Sequence, residues 1–167
     1  MTDFTLGSAN RRQGDRVDLG IRDVVVADNG YFVRVVASPA NGITLCTGSL
    51  GAGTQNDVPA MAERFAGRIN FVHLRNVSRN TEGDFVEEDH LEGDVDMYAV
   101  MRTLLLEQKR REFEGRKDVR IPMRPDHGHL MLPDEHRKNI YPGYSLFGRM
   151  RGLAELRGLE LGITRSL

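Results

Sequence analysis

An α/β fold with a parallel sheet is predicted by two features of the sequence. From Ser38 onward, a short β-branched or apolar run, a polar loop and a helix-period segment succeed one another three times. Alternation of that kind implies a parallel sheet with right-handed crossovers. The composition agrees: 167 residues, 40% hydrophobic and 28% charged, describe a globular chain long enough for one real core.

The elements follow in order. Residues 1–37 begin polar and then carry two β-branched runs, 24–26 and 32–36, separated by Asp28-Asn29-Gly30. Residues of that turn type tolerate positive φ, so a β-hairpin is predicted, with no chemistry of its own. The first strand of the repeating pattern is Ile43-Thr44-Leu45-Cys46, followed by a Gly-rich loop from Gly48 to Gly53. Asp57 caps the next helix, Pro59 lies in its first turn, and Val58, Met61 and Phe65 form its apolar face.

The second strand is Ile69-Asn70-Phe71-Val72-His73-Leu74, and a long acidic loop is expected over 76–93. Asp94 or Asp96 starts the second helix, with Met97, Val100, Met101, Leu104 and Leu105 facing inward. Its cationic end, Lys109-Arg110-Arg111, suits the negative pole of the helix dipole and reads as a solvated terminus. The third strand is expected over 119–123, and a loop rich in His and Pro over 124–143. The last helix starts near Ser145, with Phe147, Met150, Leu153, Ala154 and Leu156 at helical spacing.

Several function classes drop out. A balance of 23 Lys+Arg against 24 Asp+Glu, net −1, argues against a nucleic-acid or polyanion binder. No run approaches the roughly 18–20 apolar residues of a membrane span. The start, Met1-Thr2-Asp3-Phe4-Thr5, has an early acid and no apolar core, unlike a secretory signal. The single cysteine, Cys46, excludes an internal disulfide framework. These features describe a cytoplasmic domain.

The chemistry gathers at strand ends. Cys46 closes the first strand, His73 lies one residue from the end of the second, and Asp126 follows the third. Functional groups of parallel α/β proteins collect at the carboxyl ends of strands. A thiolate, an imidazole and a carboxylate would therefore meet at one point. That donor set suits Zn²⁺, Fe²⁺ or Mn²⁺ better than Ca²⁺ or Mg²⁺. Taken singly, Cys46 reads as a small buried hydrophobe, His73 as a core histidine and Asp126 as a turn residue. Arg124-Pro125-Asp126-His127-Gly128-His129 packs a cation, an acid and two imidazoles into six residues. Arg124 is placed to hold a substrate carboxylate, and a histidine beside a metal can move a proton near neutral pH. Tyr141-Pro142-Gly143-Tyr144 adds two phenols just before the last helix.

Five segments carry a resemblance. They are Asn41-Gly42-Ile43-Thr44-Leu45-Cys46-Thr47-Gly48-Ser49, Phe71-Val72-His73-Leu74-Arg75, His90-Leu91-Glu92-Gly93-Asp94-Val95-Asp96-Met97, the 124–129 run, and Pro142-Gly143-Tyr144-Ser145 with Gly148-Arg149. In this order they resemble mannonate dehydratase of hexuronate (glucuronate) catabolism, from about Ser38 to about Arg165. The resemblance implies a hydro-lyase on a TIM barrel that dehydrates D-mannonate to 2-keto-3-deoxy-D-gluconate with Fe²⁺ or Mn²⁺. It implies metal ligation by Cys46, His73 and Asp126 and acid/base roles for His127 and Tyr144, in either order. Arg75 and Arg124 are then candidates for the substrate carboxylate.

The family's second metal histidine lies upstream of the cysteine, where this sequence has none. His90 and His129 are the loop histidines on the same presumed face, and the three-residue site is expected to bind metal more weakly than a complete one. The family's chains are more than twice as long, and a closed (β/α)₈ barrel usually needs roughly 250 residues. The expectation is therefore a partial (β/α)8 TIM barrel of about three C-terminal βα units over 38–167, preceded by an unassigned hairpin segment, 1–37. Two further readings stand beside the enzyme. One is a truncated, non-catalytic remnant or one subunit of a split barrel, acting as a homo-oligomer or through a chain supplying the missing half. The other keeps the metal-dependent barrel and changes the reaction to sugar isomerisation.

Overall fold

The structure, a computed structural model, describes residues 24–27, 30–33, 39–141 and 143–167. The chain divides into two compact units, 1–41 and 42–167. In the first, β1 (Val24–Ala27) pairs antiparallel with β2 (Gly30–Val33), in the register Val24↔Val33 to Ala27↔Gly30. A hairpin thus forms where one is expected, with its second strand starting two residues earlier. The turn residues Asp28 and Asn29, the run 34–36, residues 1–23 and Pro142 lie outside the described residues.

The second unit is built on three parallel strands in the order β3 (Ile43–Cys46), β4 (Ile69–Leu74) and β7 (Met123–Pro125). Between β3 and β4 lie α1 (Thr47–Gly51), α2 (Val58–Phe65) and a 3₁₀ turn, Ala66–Arg68. Between β4 and β7 lie a hairpin of β5 (Asn76–Arg79) and β6 (Phe85–Glu88), then α3 (Met97–Phe113); α4 (Leu146–Ser166) closes the unit. Side chains alternate across a strand, so each strand has a helix-facing and an opposite row. Leu45, Val72 and Leu74 occupy the first row and join a core with Val58 and Ala62 of α2, Val100, Met101 and Leu104 of α3, and Leu156 and Ile163 of α4. Cys46, Phe71 and His73 occupy the second row and stay partly exposed.

The three longer helices, α2, α3 and α4, each begin at a side-chain cap. Asp57 accepts from the Ala60 N–H at 3.0 Å, Asp96 from Ala99 at 2.9 Å, and Ser145 from Gly148 at 2.9 Å. Asp96 rather than Asp94 therefore starts α3. Asp94 instead accepts from the Arg79 backbone N–H and guanidinium. All five apolar positions expected to face inward on α3 are buried.

Five expectations are corrected. Residues 48–53 are not simply a loop, because Thr47–Gly51 coils into the helical turn α1. The expected loop 76–93 contains the β5–β6 hairpin. Its turn is folded by Asn80 Oδ1, which accepts from the N–H groups of Glu82 and Asp84, and by Gly83 at φ +93°. The third strand is shifted to 123–125: Pro122 has no N–H for a ladder, and the Ile121 N–H donates to Gln108 Oε1 at 2.8 Å. Arg111 is no solvated terminus. It is 1% exposed and donates to Asp118 O, Ala66 O, Ile69 O and the Glu107 carboxylate, tying α3 to the start of β4. On α4, the buried row is Gly148, Gly152, Leu156 and Ile163, while Phe147, Met150 and Leu153 are exposed. Glycine lets that helix approach the loop backbone and the His90 ring too closely for the larger apolar residues to take the inner face.

Candidate metal centre

Strand register assembles the centre. Cys46 lies beside His73 in the β3–β4 pairing, and His73 beside Arg124 in the β4–β7 pairing. Asp126, two residues beyond Arg124, returns to the same face. One donor atom from each of Cys46, His73 and Asp126 lies within 4.8 Å of the other two, and all three residues are partly buried. His73 Nδ1 is 3.4 Å from Asp126 Oδ2. The Ser49 hydroxyl donates to Cys46 Sγ at 3.1 Å. Thr47 braces the strand ends, its Oγ1 donating towards His73 O and Arg75 O and accepting from the Arg75 N–H.

His127 lies against this cluster, with Nε2 3.6 Å from Asp126 Oδ2 and Nδ1 2.8 Å from Glu87 Oε1. The Tyr144 ring is tilted against the His127 ring, centroids 4.5 Å apart. The loop is seated by backbone contacts: the Gly128 N–H donates to Gly143 O at 2.9 Å, and Gly128 bridges to Tyr144. Arg124 Nη2 is 2.7 Å from Asp126 Oδ1, with half its side chain exposed. Arg75 is largely buried and grips Glu87 in a two-pronged ion pair through Nε and Nη2. Burial works against the charged form of Glu87. The hydrogen bonds and charge of Arg75, and then His127, outweigh it and hold the carboxyl below its usual range.

The two loop histidines do not join the centre. His90 is 4% exposed and its ring lies against Gly152 of α4. Burial pushes its pKa down. His129 Nε2 lies 3.8 Å from Glu88 Oε1 and 3.9 Å from Asp89 Oδ1. Among the described residues the only metal-capable cluster is Cys46, His73 and Asp126.

The family model described as D-mannonate dehydratase (UxuA) matches residues 16–167. The chain belongs to the D-mannonate dehydratase family. It is 55% identical to the mannonate dehydratase of Rhizobium meliloti (strain 1021) over 142 residues, covering 83% of this chain and 35% of that one. It is likewise 55% identical to mannonate dehydratase 1 of Agrobacterium fabrum over 137 residues, covering 80% of this chain and 34% of that one. The crystal structure of mannonate dehydratase from Streptococcus suis serotype2 superposes with a TM-score of 0.66 at 36% identity, covering 81% of this chain and 36% of that one. The chain thus spans about a third of the length of the curated relatives it matches.

In this member of the D-mannonate dehydratase family, the donor chemistry fits a divalent transition metal. A thiolate, an imidazole and a carboxylate are close enough to share one ion. Sequence reading missed Glu87, which the expected loop left without a position. The available signal was a polar turn, Asn80-Thr81-Glu82-Gly83-Asp84, between β-prone residues. It sets a hairpin whose register puts Glu87 opposite Val77, two residues after Arg75.

Proposed function

We propose that this chain carries the metal-holding and proton-transfer side of a site that dehydrates D-mannonate to 2-keto-3-deoxy-D-gluconate. One observation carries the reading: Cys46, His73 and Asp126 converge at the ends of adjacent parallel strands, with His127 beside Asp126 and the Tyr144 ring tilted against His127. Residues 38–167 are read as about three C-terminal βα units of a partial (β/α)8 barrel, and 1–37 as a segment outside it. The chain then belongs with the cytoplasmic enzymes of hexuronate catabolism.

Cys46, His73 and Asp126 would hold Fe²⁺ or Mn²⁺. Such an ion supplies Lewis-acid stabilisation of negative charge developing on a substrate oxygen. The remaining work falls to the chain. His127 takes the weakly acidic proton from the carbon beside the substrate carboxylate. Tyr144 gives a proton to the hydroxyl leaving the next carbon, which departs as water, and the enol left behind tautomerises to the 2-keto acid. Arg124, half exposed, and the outer Nη1 of Arg75, not part of the fork to Glu87, are placed for the substrate carboxylate. The test is a coupled assay for keto-deoxy-gluconate with added Mn²⁺ or Fe²⁺. Turnover should vanish in His127→Asn and persist in Lys109→Ala; equal turnover in both would overturn the reading.

A second reading is favoured by the sheet edges. Among the described residues of 42–167, β3 and β7 each have one side that pairs with no other strand. Unpaired edges are templates for another chain. In this reading the site works inside a homo-oligomer or beside a chain that supplies further barrel strands. Size-exclusion chromatography with light scattering checks it: a monomer that turns over D-mannonate would contradict it.

A further inference from the structure

We infer that Glu87 is the positioning residue for His127: its carboxylate accepts the Nδ1–H, which leaves the Nε2 lone pair directed at the Cys46–His73–Asp126 face. The inference rests on the reading of His127 as the proton-transfer group. A neutral imidazole carries one N–H, and its partner decides which nitrogen holds it. Among the described residues, the only carboxylate within hydrogen-bond distance of Nδ1 is Glu87, at 2.8 Å, while Nε2 faces Asp126 at 3.6 Å.

Three features make this a built arrangement. Arg75 clamps both Glu87 oxygens, so the carboxylate cannot swing away from His127. Glu87 lies on β6, paired across the hairpin with Val77, which is fully buried. The turn at residue 143 packs against the pair: a Cβ on Gly143, itself at φ +85°, would lie in ordinary contact with both, 3.4 Å from His127 Nδ1 and 3.5 Å from Glu87 Cγ. Glu87 is ill-suited to touch the substrate itself, since its negative charge would oppose a sugar-acid carboxylate. Arg75 accordingly serves the site first by holding Glu87.

The test uses the full chain labelled with ¹⁵N-histidine, without added metal, with the His127 resonances assigned by their loss in His127→Asn. Long-range ¹H–¹⁵N spectra should show neutral His127 protonated at Nδ1. Glu87→Ala should redistribute it between the two tautomers. Wild-type His127 protonated at Nε2 would overturn the inference without any variant. So would an unchanged tautomer in Glu87→Ala. If that variant fails to fold because Arg75 loses its partner, Glu87→Gln gives the second reading, and it too must change the His127 signals. In the coupled assay, Glu87→Ala should lower kcat roughly 10–100-fold with KM little changed. Glu82→Ala, at the exposed hairpin turn, should leave both unchanged. A loss confined to KM would overturn the positioning role. A wild-type chain that is inactive on D-mannonate, yet shows the Nδ1–H tautomer lost in Glu87→Ala, would sink the dehydration reading and leave the Glu87–His127 relation standing.

Discussion

Gly128→Ala should unseat the loop that carries Asp126 and His127. Gly128 is buried against the first turn of α4. A Cβ there would lie 2.4 Å from the Arg149 amide nitrogen and 2.5 Å from the Gly148 carbonyl carbon, whereas ordinary contact begins near 3.4 Å. Both neighbours are helix backbone, so no side chain can rotate away, and loop and helix must part by about 1 Å. Overpacking of this kind costs about 1–3 kcal/mol. For a chain of this length each kcal/mol lowers Tm by about 2–4 °C, so a fall of about 2–12 °C is expected. A displacement of about 1 Å at a proton-transfer group costs on the order of 100-fold in rate. Gly158→Ala is the matched control. It lies on the same helix, and among the described residues nothing outside its own stretch of helix comes within 4 Å of its would-be Cβ. Alanine is favoured over glycine inside a helix by about 0.5–1 kcal/mol, so this variant should melt slightly higher than the parent. The pair is read by thermal unfolding and by calorimetric Mn²⁺ titration. A Gly128→Ala protein that melts with the parent and binds Mn²⁺ equally well would refute the claim that this contact seats the loop.

Three more perturbations probe the same framework. Cys46→Ser should weaken Mn²⁺ binding at least as much as the roughly 10–100-fold typical of a lost supporting contact, and tight binding that survives it would show that the metal lies elsewhere. Asn76→Ala removes a 1%-exposed amide that bonds Val77 N, Val95 N, Val95 O and His90 O. At about 1 kcal/mol per bond it should cost about 4 kcal/mol in urea unfolding, and a loss under about 1 kcal/mol would contradict the network. Acid should act in two stages. Burial lowers the pKa of folded His90 from its ordinary 6.5, a shift that nearby Glu155 and Asp89 oppose, so the stability it supports is present above that value and lost as pH falls below it. For Glu107, burial favours the neutral acid, but Arg110 and Arg111 prevail and hold its pKa below 4.5, so its contribution is lost only below that pH. His90→Gln should flatten the first stage in urea midpoints measured against pH and leave the second; an unchanged first stage would contradict the assignment.

The helices were legible because caps and apolar spacing are local signals. Asp57, Asp96 and Ser145 each satisfy an amide three residues on, and the inward face of α3 follows from its period alone. Two kinds of feature were not legible. The shift of β7 depends on competition between a ladder and the Gln108 side chain, whose reach from α3 is a tertiary fact. The buried row of α4 runs through Gly148 and Gly152 because a loop backbone and the His90 ring press on it, and a rule that ranks residues by apolarity places the wrong side inward.

The same division explains the candidate site. Equivalent positions at three strand ends are a repeated local pattern, so Cys46, His73 and Asp126 could be nominated together, and strand register then brings them within one ion's reach. Arg75 shows what such patterns miss. The resemblance makes it a candidate for the substrate carboxylate, but a partner 12 residues away holds two of its donors, and that partner also touches His127. Charge pairing across a hairpin has no sequence period, so the relation emerges only once Asn80 and Gly83 are seen to fold the turn. A site read from strand ends alone therefore yields the candidate metal donors, while Glu87, the carboxylate that touches His127, comes from the loop between them.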